Sequence, residues 1–237
     1  MSLLTIATYN IHSCIGTDRR FAPERIVEVI RALDTDIIAL QEVGWHLRGE
    51  KGFDQFAFLR QQTDYTVLAG LTKHHAGAHF GNALLTRVPV QTATPFSLSV
   101  RLRVPRGGIV ATLNDKGRQL RVISAHFGLD PWERSAQFRA IGDQIQHAVE
   151  PVIFLGDLNE FRSHCAPIAR LKQDLPNEVA VPSFPTRAPR LKLDRIFTSP
   201  DLEILSSGTV RRGAAGVASD HCPVRATLRW RENALAA

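Results

Sequence analysis

Short apolar runs alternate with amphipathic stretches along this chain, and several of the apolar runs stop at a polar residue able to do chemistry. Leu3–Ile11, enriched in Thr and Ile, reads as a strand. Pro23–Leu33 reads as a helix: proline suits a first helical turn, and Ile26, Val27, Ile30 and Leu33 share one face. Asp36–Leu40 reads as a buried strand ending in Gln41-Glu42, and Phe53–Gln62 as a second helix. Val67–Leu71, Ala83–Thr86 and Ile109–Leu113 are further strands. Leu120–Ala125 is a strand ending in His126. Trp132–Val149 reads as a long helix with Phe138, Ile141 and Ile145 at core spacing. Pro151–Leu155 is a short buried strand running into Gly156-Asp157-Leu158-Asn159. Arg195–Thr198 and Pro223–Trp230 close the chain as strands.

This succession of strands and helices predicts a layered α/β or α+β domain, with sheets that are mixed or partly antiparallel around residues 65–126. No repeat or Pro/Gly linker divides the 237 residues, so the expectation is a single domain spanning 1–237. Apolar residues at 44% and charged residues at 22% exclude disordered, collagenous and disulfide-scaffold classes. No apolar run is long enough to span a bilayer. The first residues carry no basic leader pattern, which leads to the expectation of a cytoplasmic protein; a monomer without stable membrane insertion is expected as well. Cys14, Cys165 and Cys222 are odd in number and lack CxxC spacing, against a disulfide framework or a thiolate zinc site.

The net charge of +6 favours polyanionic partners such as DNA, RNA or anionic lipid. Of the 29 basic residues, 24 are Arg, which suits bidentate phosphate contacts and equally fits a genome that prefers Arg codons. Aromatics, at 7%, offer little material for base stacking.

The candidate chemistry lies at the strand ends. Asn10 and His12 follow the first strand, Glu42 the second, His126 and Asp157-Leu158-Asn159 later ones; Asp194 and Asp220-His221 precede the last two. Singly, each has an ordinary reading as a turn residue, a cap or a hydrogen-bonded strand end. Their repetition points to one convergent site, because α/β proteins place ligands at strand ends. Glu42, Asp157, Asp220, Asn10 and Asn159 are hard oxygen donors of the kind that suit Mg²⁺ or Mn²⁺. His221 can move a proton if a carboxylate orients it, and Asp194 is the better candidate for that task than its neighbour Asp220. Such a set suits hydrolysis of a phosphoryl ester.

Seven segments carry a resemblance: Thr8-Tyr9-Asn10-Ile11-His12, Asp36–Leu40 with Gln41-Glu42-Val43, Gly81-Asn82-Ala83-Leu84-Leu85-Thr86-Arg87, Ser124-Ala125-His126-Phe127, Gly156-Asp157-Leu158-Asn159, Leu193-Asp194-Arg195-Ile196-Phe197, and Ser219-Asp220-His221-Cys222-Pro223-Val224. In this order they resemble the endonuclease/exonuclease/phosphatase superfamily, which contains pancreatic-type deoxyribonuclease, apurinic-site endonucleases, neutral sphingomyelinases and inositol polyphosphate phosphatases. The resemblance implies a four-layer αββα sandwich of two mixed sheets flanked by helices. It implies Glu42 as principal metal ligand, with Asn10 beside it and Asp220 as a second metal-side carboxylate. It implies Asp157 as the group that aligns or deprotonates the attacking water, and Asn159 and His126 as contacts to the scissile phosphate. His126 is a candidate proton donor to the leaving oxygen. His221, oriented by Asp194, is the remaining catalytic histidine. Asn82 resembles a polar residue facing the phosphate. Arg106, in Pro105-Arg106-Gly107-Gly108, resembles a phosphate-binding arginine and reads equally as a solvated turn residue.

The chain departs from the family's branches. Where apurinic-site endonucleases carry an extended loop with a Tyr-Gly motif, it has His74-His75-Ala76-Gly77-Ala78-His79-Phe80, and no Lys/Arg-rich phosphoinositide loop is recognisable. The expected activity is a Mg²⁺- or Mn²⁺-dependent phosphoester hydrolase, a phosphodiesterase acting on nucleic acid in the manner of an endonuclease or on a phospholipid headgroup. The alternatives are a phosphomonoesterase on a small metabolite and an inactive binding scaffold. The histidines at 74, 75 and 79 read as an exposed polar loop.

Overall fold

Strands that carry apolar residues on both faces need cover on both faces. In the computed structural model, which describes residues 3–44, 52–75 and 78–231, that cover comes from a second sheet on one side and helices on the other. The strands and helices are β1 (Leu3–Asn10), α1 (Pro23–Leu33), β2 (Ile37–Gly44), α2 (Gln55–Gln62), β3 (Thr66–His75), β4 (Ala78–Thr86), β5 (Val90–Ser97), β6 (Gly107–Asp115), β7 (Arg118–His126), α3 (Pro131–Gln146), β8 (Val152–Asp157), α4 (Ala166–Asp174), β9 (Asn177–Ala180), β10 (Asp194–Thr198), β11 (Leu202–Thr209) and β12 (Val224–Trp230). One six-stranded sheet has the order β11-β12-β1-β2-β4-β3 and the other β5-β6-β7-β8-β10-β9. Each sheet is mixed: β1–β2 and β7–β8 are parallel, and the other neighbours are antiparallel. The parallel pairs are joined through α1 and α3, as a crossover requires. The four-layer sandwich is the architecture expected.

Strand periodicity of two sorts every strand into a sheet-facing and a helix-facing row. Leu4 and Ile6, Ile37 and Ala39, Leu120 and Val122, Ile153 and Leu155, and Ile196 pack between the sheets. The alternate positions Ala7, Tyr9, Ile38 and Leu40 meet α1 and α2. Ile123, Ala125, Phe154 and Phe197 meet α3 and α4. Extending the inward rows by one or two steps reaches Asn10, His126, Asp157 and Asp194. The strand pattern itself therefore delivers these side chains to one end of the space between the sheets.

Differences from the sequence expectation follow burial. Strands β5, β9 and β11 do not stand out as apolar runs, and all three are edge strands. β5 is almost wholly exposed and holds Pro95, which an edge tolerates. α4 buries only Ile168 and Leu171, too few for a clear period. α3 begins one residue earlier than expected, where the Asp130 carboxylate accepts from Trp132 and Glu133 amides, and ends at Gln146 rather than Val149. The His74–His79 stretch is a strand hairpin, not a loop: His74 pairs with His79, while residues 76 and 77 lie outside the described residues.

Candidate functional site

Glu42 is the one site residue whose strand phase is wrong for its task. Ile37 and Ala39 face the opposite sheet, so regular continuation would turn position 42 toward the helices. Strand β2 does not stop at Leu40 as the sequence suggested. It runs on to Gly44 through a bulge, in which Gln41 and Glu42 occupy the interval between the pairs Leu40–Ala83 and Val43–Gly81. Glu42 sits there at φ +55°, a conformation costly for a residue with a Cβ. The bulge turns its carboxylate inward, where Asn10 Nδ2 donates to Oε1 at 3.0 Å. Gly44 closes the strand at φ +105°, where a Cβ would lie 1.9 Å from His79 O. Residues 12–14 preceding α1 are all left-handed. Buried Gln55 ties that turn to the end of β2, with Nε2 donating to Ser13 O and Gly44 N donating to Oε1.

Asp157 is the hub. Its carboxylate accepts from Asn10 Nδ2 at 2.9 Å and from the Asn159 amide at 3.0 Å. The nearest nitrogens of His126 and His221 lie 3.5 Å and 3.8 Å from Oδ2. Asn159, itself at φ +49°, gives its side-chain amide to Phe127 O at 2.9 Å and stands 3.4 Å from His126 Nε2. His221 Nδ1 is 2.8 Å from Asp194 Oδ2 on the far side, and the Phe184 ring packs against the imidazole. Ser219 Oγ donates to Asn10 O at 2.7 Å and locks the Asp220-His221 turn onto β1. Asp220 stands at the mouth, 3.7 Å from His12 Nδ1.

The two histidines are driven apart in basicity. Burial, aided by the Arg106 cation, pushes His126 down to about 4, so its ring is neutral at pH 7. Burial also works against a charged His221, but Asp194 and Asp157 overcome it and raise the ring to about 10. Burial disfavours ionisation of Asp157 as well. The His221 cation outweighs it and, with the hydrogen bonds, holds the carboxyl below its usual range. Asp194, buried and close to Asp157, is raised. Glu42 stays low despite burial, with His126 and the Asn10 amide against it. A neutral ring and a cationic ring on either side of one carboxylate are the division that acid–base work requires.

Arg106 Nη1 lies 3.0 Å from both nitrogens of the His126 ring, midway between them and not on one lone pair alone. Its Nε is buried and has no hydrogen-bond partner among the described residues. Asn82 is also buried at this end, but its amide donates to Gly107 O at 2.7 Å and bridges the two sheets. The structure thus brings Asn10, Glu42, His126, Asp157, Asn159, Asp194 and His221 together, with Arg106 against His126 and Asp220 at the mouth.

Among the described residues one group of ligand atoms converges as a divalent cation would need. Asp157, Asp194 and His221 bring ligand atoms within 4.8 Å of one another. The Nδ1–Asp194 bond already occupies one nitrogen of His221, and Asp157 accepts two hydrogen bonds. Of the expected oxygen donors Glu42, Asn10 and Asp220, the Glu42 carboxylate keeps partial exposure, whereas Asn10 turns its Nδ2 toward Glu42 and its Oδ1 accepts from the His12 amide.

The sequence reading passed over the supports: Gln55, Ser219 and the buried Arg195. Arg195 donates from Nη2 to Glu160 O at 2.9 Å and pairs with Glu178, fixing the segment after Asn159. Its signal was present, since an arginine inside a short apolar strand needs a buried partner.

A family model described as Endonuclease/Exonuclease/phosphatase family matches residues 7–221. YbhP of Escherichia coli K12 is 25% identical over 242 residues, covering 94% of this chain and 95% of that protein. Among solved structures, an endonuclease/exonuclease/phosphatase from Bacteroides vulgatus superposes with a TM-score of 0.79 at 19% identity, over 98% of this chain and 100% of that one. The mannosyl-6-phosphatase Bt3783 of Bacteroides thetaiotaomicron gives 0.73 at 19% identity, over 96% and 100%. D. rerio TDP2 complexed with single strand DNA product gives 0.72 at 18% identity, over 97% and 100%.

Proposed function

Since the chain belongs to the endonuclease/exonuclease/phosphatase family, we propose that it is a divalent-metal-dependent hydrolase of phosphoric esters that acts on a phosphodiester. The observation that carries this reading is the buried Asp157 carboxylate, which accepts from Asn10 Nδ2 and the Asn159 amide with nitrogens of His126 and His221 at 3.5 Å and 3.8 Å from Oδ2. Asp157 orients the attacking water and draws its proton, while Asn10 and the Asn159 amide fix the carboxylate's direction. His126 and Asn159 contact the phosphate, and His126 lies on the side of Arg106. The unpartnered Arg106 Nε–H suits a phosphoryl oxygen. His221, kept cationic by Asp194, faces the negative charge that develops in the transition state. Glu42 and Asp220 would hold Mg²⁺ or Mn²⁺, with the Asn10 amide orienting Glu42, and the metal would supply charge neutralisation at a phosphoryl oxygen.

The fold leaves the ester open, because the similar structures include both a sugar phosphatase and a protein bound to single strand DNA product. The net charge of +6 favours a diester within a polyanion. The test is a hydrolysis panel with Mg²⁺, Mn²⁺ or EDTA on plasmid, oligonucleotide, phospholipid vesicles, and an aryl phosphomonoester and phosphodiester pair. Asp157→Ala is expected to lose about 10²–10⁴-fold in turnover, the usual weight of a positioned proton acceptor. Metal-independent turnover, or near-normal turnover by Asp157→Ala, would overturn the reading. Turnover confined to the monoester would move the protein to the phosphatase branch.

A further inference from the structure

Large apolar side chains exposed to water are concentrated around the mouth of the site. Among the described residues nine are exposed, and five of them, Leu102, Val104, Leu129 and Phe161 on loops and Trp132 in the first turn of α3, lie in segments adjoining Arg106, His126 and Asn159. Leu102 is 92% exposed, Leu129 74% and Trp132 67%. Three separate segments contribute, and ion pairs join them. Arg103 Nη2 meets Asp130 Oδ2 at 3.0 Å, linking the loop of Leu102 and Val104 to the turn of Leu129 and Trp132. Arg134 donates to Leu129 O and pairs with Glu160 at 3.2 Å, linking that turn to Phe161. Trp132, Arg134, Glu160 and Arg162 line one open surface pocket of about 430 Å³. Arg106, on the first of these loops, reaches His126, so the apolar rim and the candidate phosphate site share a scaffold.

The charges on this rim are basic in excess. Its carboxylates Asp130 and Glu160 are each paired with arginine, while Arg101 and Arg106 extend the positive set on the first loop. Leu102 holds φ +62° at the loop tip, a strained backbone that carries its side chain outward. Aliphatic tips beside arginines complement a surface with apolar depth under anionic headgroups. A nucleic-acid strand would use flat rings, and this rim offers two aromatics against three aliphatics. No helix among the described residues is long and apolar enough to cross a membrane.

We propose that the rim of Leu102, Val104, Leu129, Trp132 and Phe161, with Arg101, Arg103 and Arg162, docks on an anionic phospholipid surface and presents headgroup phosphodiesters to the site. The substrate class rests on the phosphodiesterase reading above; the docking does not.

The experiment floats the full chain with vesicles of phosphatidylcholine, alone or mixed with phosphatidylglycerol. The wild type and Asp157→Ala are both expected to float with the mixed vesicles. The triple variant Leu102→Ser, Leu129→Ser, Trp132→Ser is expected to partition at least about tenfold more weakly, since each side chain loses apolar burial. Its melting temperature, expected at the wild-type value, excludes misfolding as the cause. Failure of the wild type to float, or unchanged partition by the triple variant, overturns the proposal. So does loss of single-stranded oligonucleotide binding by that variant with vesicle binding intact, which would assign the rim to nucleic acid. Turnover of a soluble aryl phosphodiester by the wild type is read separately. Its absence alongside vesicle binding would strike the catalytic reading and leave the docking surface standing.

Discussion

At the scale of single residues, identical side chains acquire opposite properties from their neighbours. His126 and His221 flank one carboxylate, yet Arg106 and burial keep the first neutral while Asp194 keeps the second charged. The pH consequence has a definite sign. His221 is protonated below about 10, so a kcat/KM that needs the cation holds through neutrality and falls as pH rises past that value. Asp194→Asn removes the largest raising charge. Its alkaline limb is expected to move toward neutral pH, with kcat down by about 10²–10⁴-fold. A pH–rate profile of Asp194→Asn that overlays the wild type would remove Asp194 from its positioning role. Asp157 and Asp194 were legible in the sequence as strand-end carboxylates. The pairing of Asp194 with His221 was legible too, whereas the approach of both His126 and His221 to one Asp157 oxygen was not, because that depends on which strands become neighbours.

At the scale of elements, the β2 bulge shows local stability yielding to function. Glu42 adopts a left-handed backbone so that its carboxylate can join Asn10. Relief of that strain is worth roughly 1–2 kcal/mol. Glu42→Gly is therefore expected to keep or raise the melting temperature while metal-dependent turnover collapses. Glu42→Ala should lose turnover without the gain in stability. A clear fall in the melting temperature of Glu42→Gly in thermal unfolding would make Glu42 a structural residue instead. The inner strands were readable because they are apolar on both faces, whereas β5, β9 and β11, at sheet edges, carry almost no periodic signal. The bulge had no signature at all, since an inserted residue is visible only against the partner strand.

At the scale of the whole molecule, buried charge fastens the second sheet to the rim. Glu160 accepts from Arg134 and Arg162, and Arg195 binds its backbone carbonyl while pairing with Glu178. Although burial opposes ionisation, Arg162 and Arg134 bring the Glu160 carboxyl down to about 2 from its ordinary 4.5. A depressed carboxyl contributes stability that is complete above its unfolded value and is lost as pH falls through its folded one. The melting temperature should therefore fall between about pH 4.5 and pH 2, with a shallower slope in Glu160→Gln. An unchanged slope would show that the pairing carries no stability. Arg195→Met, which leaves the half-buried Glu178 with Lys172 alone and the Glu160 carbonyl without its guanidinium donor, should cost about 1–3 kcal/mol in urea unfolding. The sequence by itself determined the layered class, the inner strands, and the identity of the polar residues at their ends, because period and strand termination are local properties of the chain. Only the tertiary structure decided that Asn10, His126, Asp157 and Asp194 share one end of the inter-sheet space, that a bulge turns Glu42 to join them, and that ion pairs tie together the three segments carrying the exposed apolar tips. Those outcomes depend on strand order and sheet packing, in which residues as far apart as Asn10 and Asp157 become hydrogen-bond partners.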